Sequence, residues 1–320
     1  MNDKRKKPEI SWFGALCDDD YEFLGVVAPE LTSSWNHCRD IVLCAEENGF
    51  DNILLPSGYE LGIDATSFAS AISVATNKIR LLLAVRMGEM WLPQLARQMA
   101  TIDQMSGGRL TINIISSELP GQKLESDPRY ERTREYMKVL RQLLNGNPVD
   151  FHGQFVDLEI EAPRVRTVSG HCPLFYFGGF SEAAKETAAM EADVFLTWPD
   201  TVNGVESIVL DMKERALGYG RELKYGLRAH VIVRETEKEA RNAANRLISQ
   251  LDDKQGEEIR NRSLDAVSVG VSRQTELREN SDNDGFIEEN LWTGVGRARS
   301  GAGAAIVGDP DQVKNKINAY

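Results

Sequence analysis

Cysteine and histidine are both scarce, four of each in 320 residues, and neither is arranged for a metal. Cys17, Cys38, Cys44 and Cys172 show no C-x-x-C spacing, which excludes the ordinary zinc and iron–sulfur patterns. Cys38 and Cys44 fall on one helical pattern, too far apart along it for an easy disulfide. His37, His152 and His171 sit on a predicted helix, a hairpin and a loop without ligand spacing, so they read as structural and no metal is expected. Long apolar runs are missing too: Ile79 to Val85 is far too short to span a bilayer. The opening MNDKRKKPE has no apolar leader, and the expectation is a cytoplasmic protein with reduced thiols. Positive charge is also in deficit, with 37 Lys plus Arg against 49 Asp plus Glu and a net charge of −12. Such a surface repels phosphate backbones and anionic membranes, so neither nucleic acid nor membrane is expected as a partner. An anionic small molecule would need a local basic pocket. What remains is ordinary, 42% hydrophobic and 27% charged, which excludes collagen-like, coiled-coil and wholly disordered chains.

Strand and helix patterns alternate along the chain. Strands are predicted at Ile10–Phe13, Asp51–Leu55, Ile79–Val85, Arg109–Ile115, Pro173–Phe177, Asp193–Thr197 and Tyr225–Val233. Helices fall between them, the first capped by Ser33 or Ser34 and stopped at Asn48-Gly49. The uninterrupted apolar run at 79–85 suits a parallel strand buried on both faces. This alternation predicts an α/β protein, a TIM (β/α)8 barrel with insertions before an open doubly wound sheet. The insertions are a hairpin at 149–160 and a polar, lid-like excursion at 251–299, all within one barrel domain spanning 1–320. Seven strands are counted and the chain stops in a helix-like segment, Asp311 to Tyr320. Closure takes an eighth strand, which the barrel reading therefore leaves lacking in this chain.

The segment Tyr225-Gly-Leu-Arg-Ala-His-Val-Ile-Val233 is the most informative. Alternation along one strand puts Leu227, Ala229, Val231 and Val233 on an apolar face and turns Arg228 and His230 the other way. A buried arginine near a histidine needs an anion, either an internal carboxylate or a ligand. Phe177-Gly-Gly-Phe-Ser181 follows the fifth strand and opens a helix, where glycines and free N–H groups suit a phosphate, a tight turn being the alternative. Trp198 ends the sixth strand, as core or as a pocket wall. Arg297, Arg299 and an exposed Trp292 in a glycine-rich stretch suit a segment closing over an anion, or else solvated loop charges. No Ser/His/Asp or Cys/His constellation emerges, which favours a cofactor with its own reactivity.

Several segments together resemble the bacterial luciferase-like flavin monooxygenases: Ala96-Arg-Gln-Met-Ala-Thr-Ile-Asp103, Ser106-Gly-Gly-Arg109, Asn113-Ile-Ile-Ser116, Arg129-Tyr130-Glu-Arg132, Val149-Asp-Phe-His-Gly153 and Phe175-Tyr-Phe-Gly-Gly-Phe-Ser181. Leu196-Thr-Trp198, the 226–236 stretch and Asn290-Leu-Trp-Thr-Gly-Val-Gly296 narrow this to the alkanesulfonate monooxygenase branch. The resemblance runs from Ile10 to Tyr320. It implies a TIM barrel that uses reduced FMN, delivered by a separate NAD(P)H-dependent flavin reductase, with O2 to cleave a C–S bond into an aldehyde and sulfite. By residue, it implies Trp198, Arg228, His230 and Arg299 on the sulfonate side. Tyr130, Ser116, Gly178, Gly179, Phe180 and Ser181 are implied as flavin and phosphate contacts, and a homo-oligomer is implied as well. The stretch from Pro56 to Asp64 lacks the cysteine often found there in the branch. The loop Ala15–Gly25 and Gly296-Arg-Ala-Arg-Ser300 are instead similar to the sulfoquinovose monooxygenases, whose polar groups would meet sugar hydroxyls. The expected substrate is therefore a sulfosugar. A simple alkanesulfonate or sulfone monooxygenase, or a non-catalytic flavin- or sulfonate-binding protein, are the other readings, and deazaflavin-dependent hydride transfer is disfavoured.

Overall fold

A computed structural model of the protein describes residues 7–26, 28–60, 62–261, 268–298 and 303–320. The chain divides into two compact units, one made of residues up to 20 with 29–121 and 131–175, the other of 21–28, 122–130 and 176–320.

The first unit opens with β1 (Ser11–Phe13), α1 (Trp35–Glu47), β2 (Asn52–Leu55), α2 (Ala65–Ala75) and β3 (Arg80–Arg86). It continues through α3 (Leu92–Ser106), β4 (Leu110–Ile115), α4 (Ser126–Leu144, whose first turn up to Tyr130 belongs to the second unit), β5 (Val149–His152) and β6 (Asp157–Ile160). Strands β1 to β4 lie side by side and parallel, with Trp12 beside Ile53, Ile53 beside Leu81 and Leu83 beside Ile112. Ile53, Leu81, Leu83 and Ile112 have no exposed surface, as the apolar run required. Ser34 caps α1 by accepting from the His37 N–H at 3.2 Å, and the helix ends at Asn48. Gly49 then takes a φ of 79°, a conformation that side chains rarely adopt. The expected hairpin is β5 with β6, antiparallel and pairing Phe151 with Leu158. Its turn is seated on Glu135 of α4, whose carboxylate accepts the Gln154, Phe155 and Val156 N–H groups at 2.7, 2.8 and 2.8 Å.

The second unit carries β7 (Phe175–Gly178), α5 (Glu182–Glu191), β8 (Val194–Thr197), α6 (Val202–Gly218) and β9 (Lys224–Leu227). Strands β7, β8 and β9 are parallel, with Phe177 beside Phe195 and Phe195 beside Tyr225. Then come β10 (His230–Val233), α7 (Glu237–Leu247), α8 (Asp253–Asn261), α9 (Val269–Glu279), β11 (Phe286–Glu288), β12 (Leu291–Trp292), β13 (Ala305–Gly308) and α10 (Pro310–Ala319). The last four strands form a sheet in the order β10, β13, β12, β11, parallel only between β10 and β13. Its core joins Ala240 and Ala244 of α7 to Trp292, Ala305 and Val307, with Ile232 packed against them.

Two expectations change here. The single strand predicted over Tyr225–Val233 is divided: β9 ends at Leu227 beside β8, and β10 begins at His230 beside β13. Two strands with different neighbours do not share one alternation. Val231 and Val233 are 47% and 39% exposed, whereas Ile232 is the residue that packs into the core. The polar excursion after Leu251 contains α8, α9 and a strand pair, and the Trp292 expected to be exposed is 1% exposed. Trp292 donates from Nε1 to the Asp284 carbonyl at 3.2 Å, and a Cβ at Gly294 would collide with its ring. No helix among the described residues is long and apolar enough to cross a membrane.

Candidate functional site

Most of the residues singled out in the sequence fall in the second unit, around the ends of β7, β8 and β9. Gly178 closes β7 and leads through Gly179 and Phe180 to Ser181, the N-cap of α5, whose hydroxyl accepts from the Ala184 N–H at 3.2 Å. Side chains are excluded from the two glycines. A Cβ at Gly178 would lie 2.5 Å from the Leu196 carbonyl oxygen, and one at Gly179 would lie 2.5 Å from Ala184 Cβ and 3.6 Å from the Tyr130 hydroxyl. The turn thus offers backbone, helix-start N–H groups and a phenol hydroxyl, the donor set that a phosphate takes. Tyr130 is placed by its edge-on contact with Phe177, ring centroids 6.3 Å apart. Glu182, in the first turn of α5, is the one charge there that would oppose an anion. Its hydrogen bond from Arg215 (2.6 Å) holds its carboxyl below the usual range, and Lys185 adds to this. A phosphate-bearing cofactor fits this turn.

The residues expected on the sulfonate side follow on the next two strands. Trp198 comes directly after β8 and is half-buried, its ring 5.7 Å from that of Phe180 and inclined by 45°. Arg228 comes directly after β9, and its backbone N–H donates to the Thr197 carbonyl at 2.9 Å, which sets it across from Trp198. His230 heads β10 in register with Ala305. Both Arg228 and His230 are half-buried. Within β10, alternation groups His230 with Ile232, while Arg228 precedes the break, so strand parity alone no longer aligns the two. Arg299 lies outside the described residues. Ser116 belongs to the first unit, where its hydroxyl is bonded to that of Thr133 at 2.7 Å.

Sequence reasoning missed a hub immediately after Trp198. Asp200, 3% exposed, receives Arg273 of α9 through Nε at 2.7 Å and Nη2 at 3.0 Å. Gln274 donates to the Pro199 carbonyl at 3.0 Å, and the Tyr320 hydroxyl donates to the Asp200 carbonyl at 2.7 Å. Burial, followed by the nearby Glu288 and Asp200 charges, pushes the Tyr320 phenol up, and the carboxylates of Asp200 and Glu276, both bonded to Arg273, push its guanidinium up. No spacing signal links positions 200 and 273. In the first unit Arg86, also missed, ends β3 nearly buried, donating to the Ser117 hydroxyl at 2.7 Å and paired with Glu89. The one signal for it is a cation closing an apolar run. None of the four cysteines is in a disulfide, and among the described residues no His, Cys, Asp and Glu cluster is built to hold a metal.

Comparison with known proteins places this geometry in a lineage. The family described as luciferase-like monooxygenase matches residues 23–320. A protein of Novosphingobium aromaticivorans called sulfoquinovose monooxygenase is 60% identical over 319 residues, covering 98% of this chain and 88% of that one. One of the same name from Agrobacterium fabrum is 48% identical over 315 residues, covering 98% and 82%. Among solved structures, riboflavin lyase with a modified FMN and riboflavin superposes with a TM-score of 0.77 at 15% identity, covering 98% of this chain and 84% of that one. That likeness establishes the fold as the TIM-barrel-like α/β class expected from the strand–helix alternation. By the extent of the family match and the identity to these relatives, the chain belongs to the luciferase-like monooxygenase family.

Proposed function

We propose that this chain is an FMN- and O2-dependent monooxygenase that cleaves the C–S bond of a sulfosugar such as sulfoquinovose, releasing sulfite and leaving an aldehyde. The observation that carries the reading is the 60% identity, over nearly the whole chain, to a protein of that name. Reduced FMN supplies two electrons when bound, so that one atom of O2 goes to the sulfur-bearing carbon and the other leaves as water. The Gly178–Ser181 turn and the Tyr130 hydroxyl would hold the phosphate of FMN. Trp198 walls the substrate. Arg228, His230 and Arg299 hold the sulfonate through charge-assisted hydrogen bonds, each contributing about 1.5–3 kcal/mol. His230, the one histidine of the second unit, and the bound flavin are the two candidates for taking the proton from the carbon that becomes the aldehyde. A separate NAD(P)H-dependent reductase supplies the reduced flavin, and the protein works as a homo-oligomer in the cytoplasm.

The test is sulfite release, with any flavin reductase, from a sulfosugar and from a short alkanesulfonate. The sugar is expected to be the better substrate. An equal or better rate on the alkanesulfonate moves the reading to a plain alkanesulfonate monooxygenase, and flavin oxidation without sulfite leaves only a binding protein. Arg228→Ala is expected to lower desulfonation by about a hundredfold or more while reduced-flavin binding survives. Loss of both together contradicts the role assigned to Arg228.

A further inference from the structure

Trp198 and Pro199 are gripped between two segments distant in sequence, and on both the gripping residue is a glycine. On one side is Gly270, the second residue of α9 and buried. A Cβ there would lie 2.8 Å from Phe180 Cδ2 and 2.8 Å from Trp198 Cζ3, closer than carbon atoms approach without displacement. On the other side is Gly303, where a Cβ would lie 2.5 Å from Pro199 Cδ and 3.3 Å from Trp198 Cβ. Gly270 has no positive φ, so no backbone requirement calls for glycine. Glycine is also a poor helix former, so helix stability does not call for it either. What it supplies at that place is room for two aromatic rings.

The approach is held in place by directed bonds. One turn along α9, Arg273 grips Asp200 with two hydrogen bonds of 2.7 and 3.0 Å, and Gln274 donates to the Pro199 carbonyl at 3.0 Å. Because α9 is fastened one turn beyond this contact, shifting the helix away to admit a methyl group at 270 would pull on those three bonds. The rings move instead. Phe180 belongs to the phosphate turn and Trp198 to the substrate wall, so the displacement reaches both parts of the candidate site.

We propose that Gly270 is a positioning residue for substrate binding: the missing side chain seats the Trp198 indole against Phe180 and thereby sets the width of the sulfonate pocket. The proposal rests on the reading of Trp198 as a substrate wall. Gly270→Ala places a better helix former in α9, so the thermal midpoint is expected to stay within a few degrees of the parent. KM for the sulfosugar is expected to rise about tenfold with kcat changed less than about threefold, since a small misplacement of a binding wall weakens capture. The indole contribution of Trp198, isolated as the fluorescence difference between each protein and its Trp198→Phe counterpart, is expected to shift as well. In the Trp198→Phe background the benzo ring is gone and Phe180 has space, so adding Gly270→Ala should change KM less than about twofold. Unchanged KM and unchanged indole signal in Gly270→Ala overturn the proposal, as does a loss of kcat, KM and thermal midpoint together that Trp198→Phe does not relieve. If the parent protein releases no sulfite from any sulfonate, the proposed function fails, and the indole signal still judges Gly270 by itself: a shift supports the seat, and no shift removes it.

Discussion

Asp103 and Arg109 show two ways in which this chain keeps a charge out of water. Arg109 donates to five acceptors: the Ser106, Ile79, Ser73 and Thr76 carbonyls and the Thr76 hydroxyl, at 2.6 to 2.9 Å. Burial lowers its pKa, yet a guanidinium so placed stays protonated. The Ser106-Gly-Gly-Arg109 motif that helped carry the family resemblance is therefore a brace for the end of α2. Asp103, nearly buried on α3, accepts the Val168 N–H at 2.7 Å, and burial raises its pKa despite that bond. The folded state thus holds this proton more tightly than the unfolded chain. Its stabilising share is present in full at low pH and is lost as pH rises from about 4, the ordinary aspartate value, through the raised one. Asp103→Asn keeps an acceptor without the charge, so its thermal midpoint should gain on the parent between pH 3.5 and pH 6. A constant difference across that range would show that Asp103 titrates as an exposed carboxyl. At this scale, short-range devices were readable in advance: Ser34, Asn48 with Gly49, and Ser181 each act within four residues of themselves. Asp200 with Arg273 and Gly270 with Trp198 are joined only by tertiary placement, so no local pattern announces them.

Whole elements were legible where their partners are neighbours in order. The strands β1 to β4 and β7 to β9 each pair with the preceding or following strand, and their apolar runs marked them. The division of β9 from β10 was not legible, because it follows from β10 pairing with β13, with His230 beside Ala305 and the whole of α7, α8 and α9 between them. The same distance removed the strand-parity argument for Arg228 and His230, leaving the Arg228 N–H bond to the Thr197 carbonyl, next to Trp198, as the structural support for the place proposed for Arg228. Helix α9 escaped notice because its buried positions are Gly270, Gln274 and Leu277, a stripe with little apolar content. The hairpin of β5 and β6 was expected from alternation about Gly153, but its anchor was not. Three N–H groups converge on the nearly buried Glu135 carboxylate, and a Cβ at Gly153 would lie 2.4 Å from Glu135 Oε2. Glu135→Ala leaves those donors without their acceptor and is expected to cost about 2–4 kcal/mol in urea unfolding. Cleavage by protease within 152–156 should rise in the same variant. A loss under about 0.5 kcal/mol would mean that water replaces the carboxylate, and the hairpin would then be held by its strand pairing alone.

For the molecule as a whole, the net charge of −12 is the property that bears most directly on the proposed chemistry. On the proposed reading, a sulfonate and the phosphate of FMN would approach a surface whose summed field repels them, and their capture would depend on the short-range donors near Arg228 and the Gly178–Ser181 turn. Part of the acidity is compensated locally: Arg215 alone is paired with Glu182, Asp211 and Glu186, which leaves it fixed and drives its pKa upward. The compensation is incomplete, so repulsion persists beyond contact distance. At about 0.01 M salt the field extends roughly 30 Å, and at 0.15 M about 8 Å. Screening therefore removes the long-range repulsion while leaving charge-assisted hydrogen bonds at contact largely intact. On that basis kcat/KM for a sulfosugar should rise about two- to threefold between these two ionic strengths, with kcat nearly unchanged, because the effect lies in encounter. A neutral sugar of the same size, tested as a competitive inhibitor, should show no such dependence. If kcat/KM falls with added salt, a positive funnel around the candidate site outweighs the overall charge, and the picture of an anion reaching isolated donors against a repulsive background is wrong.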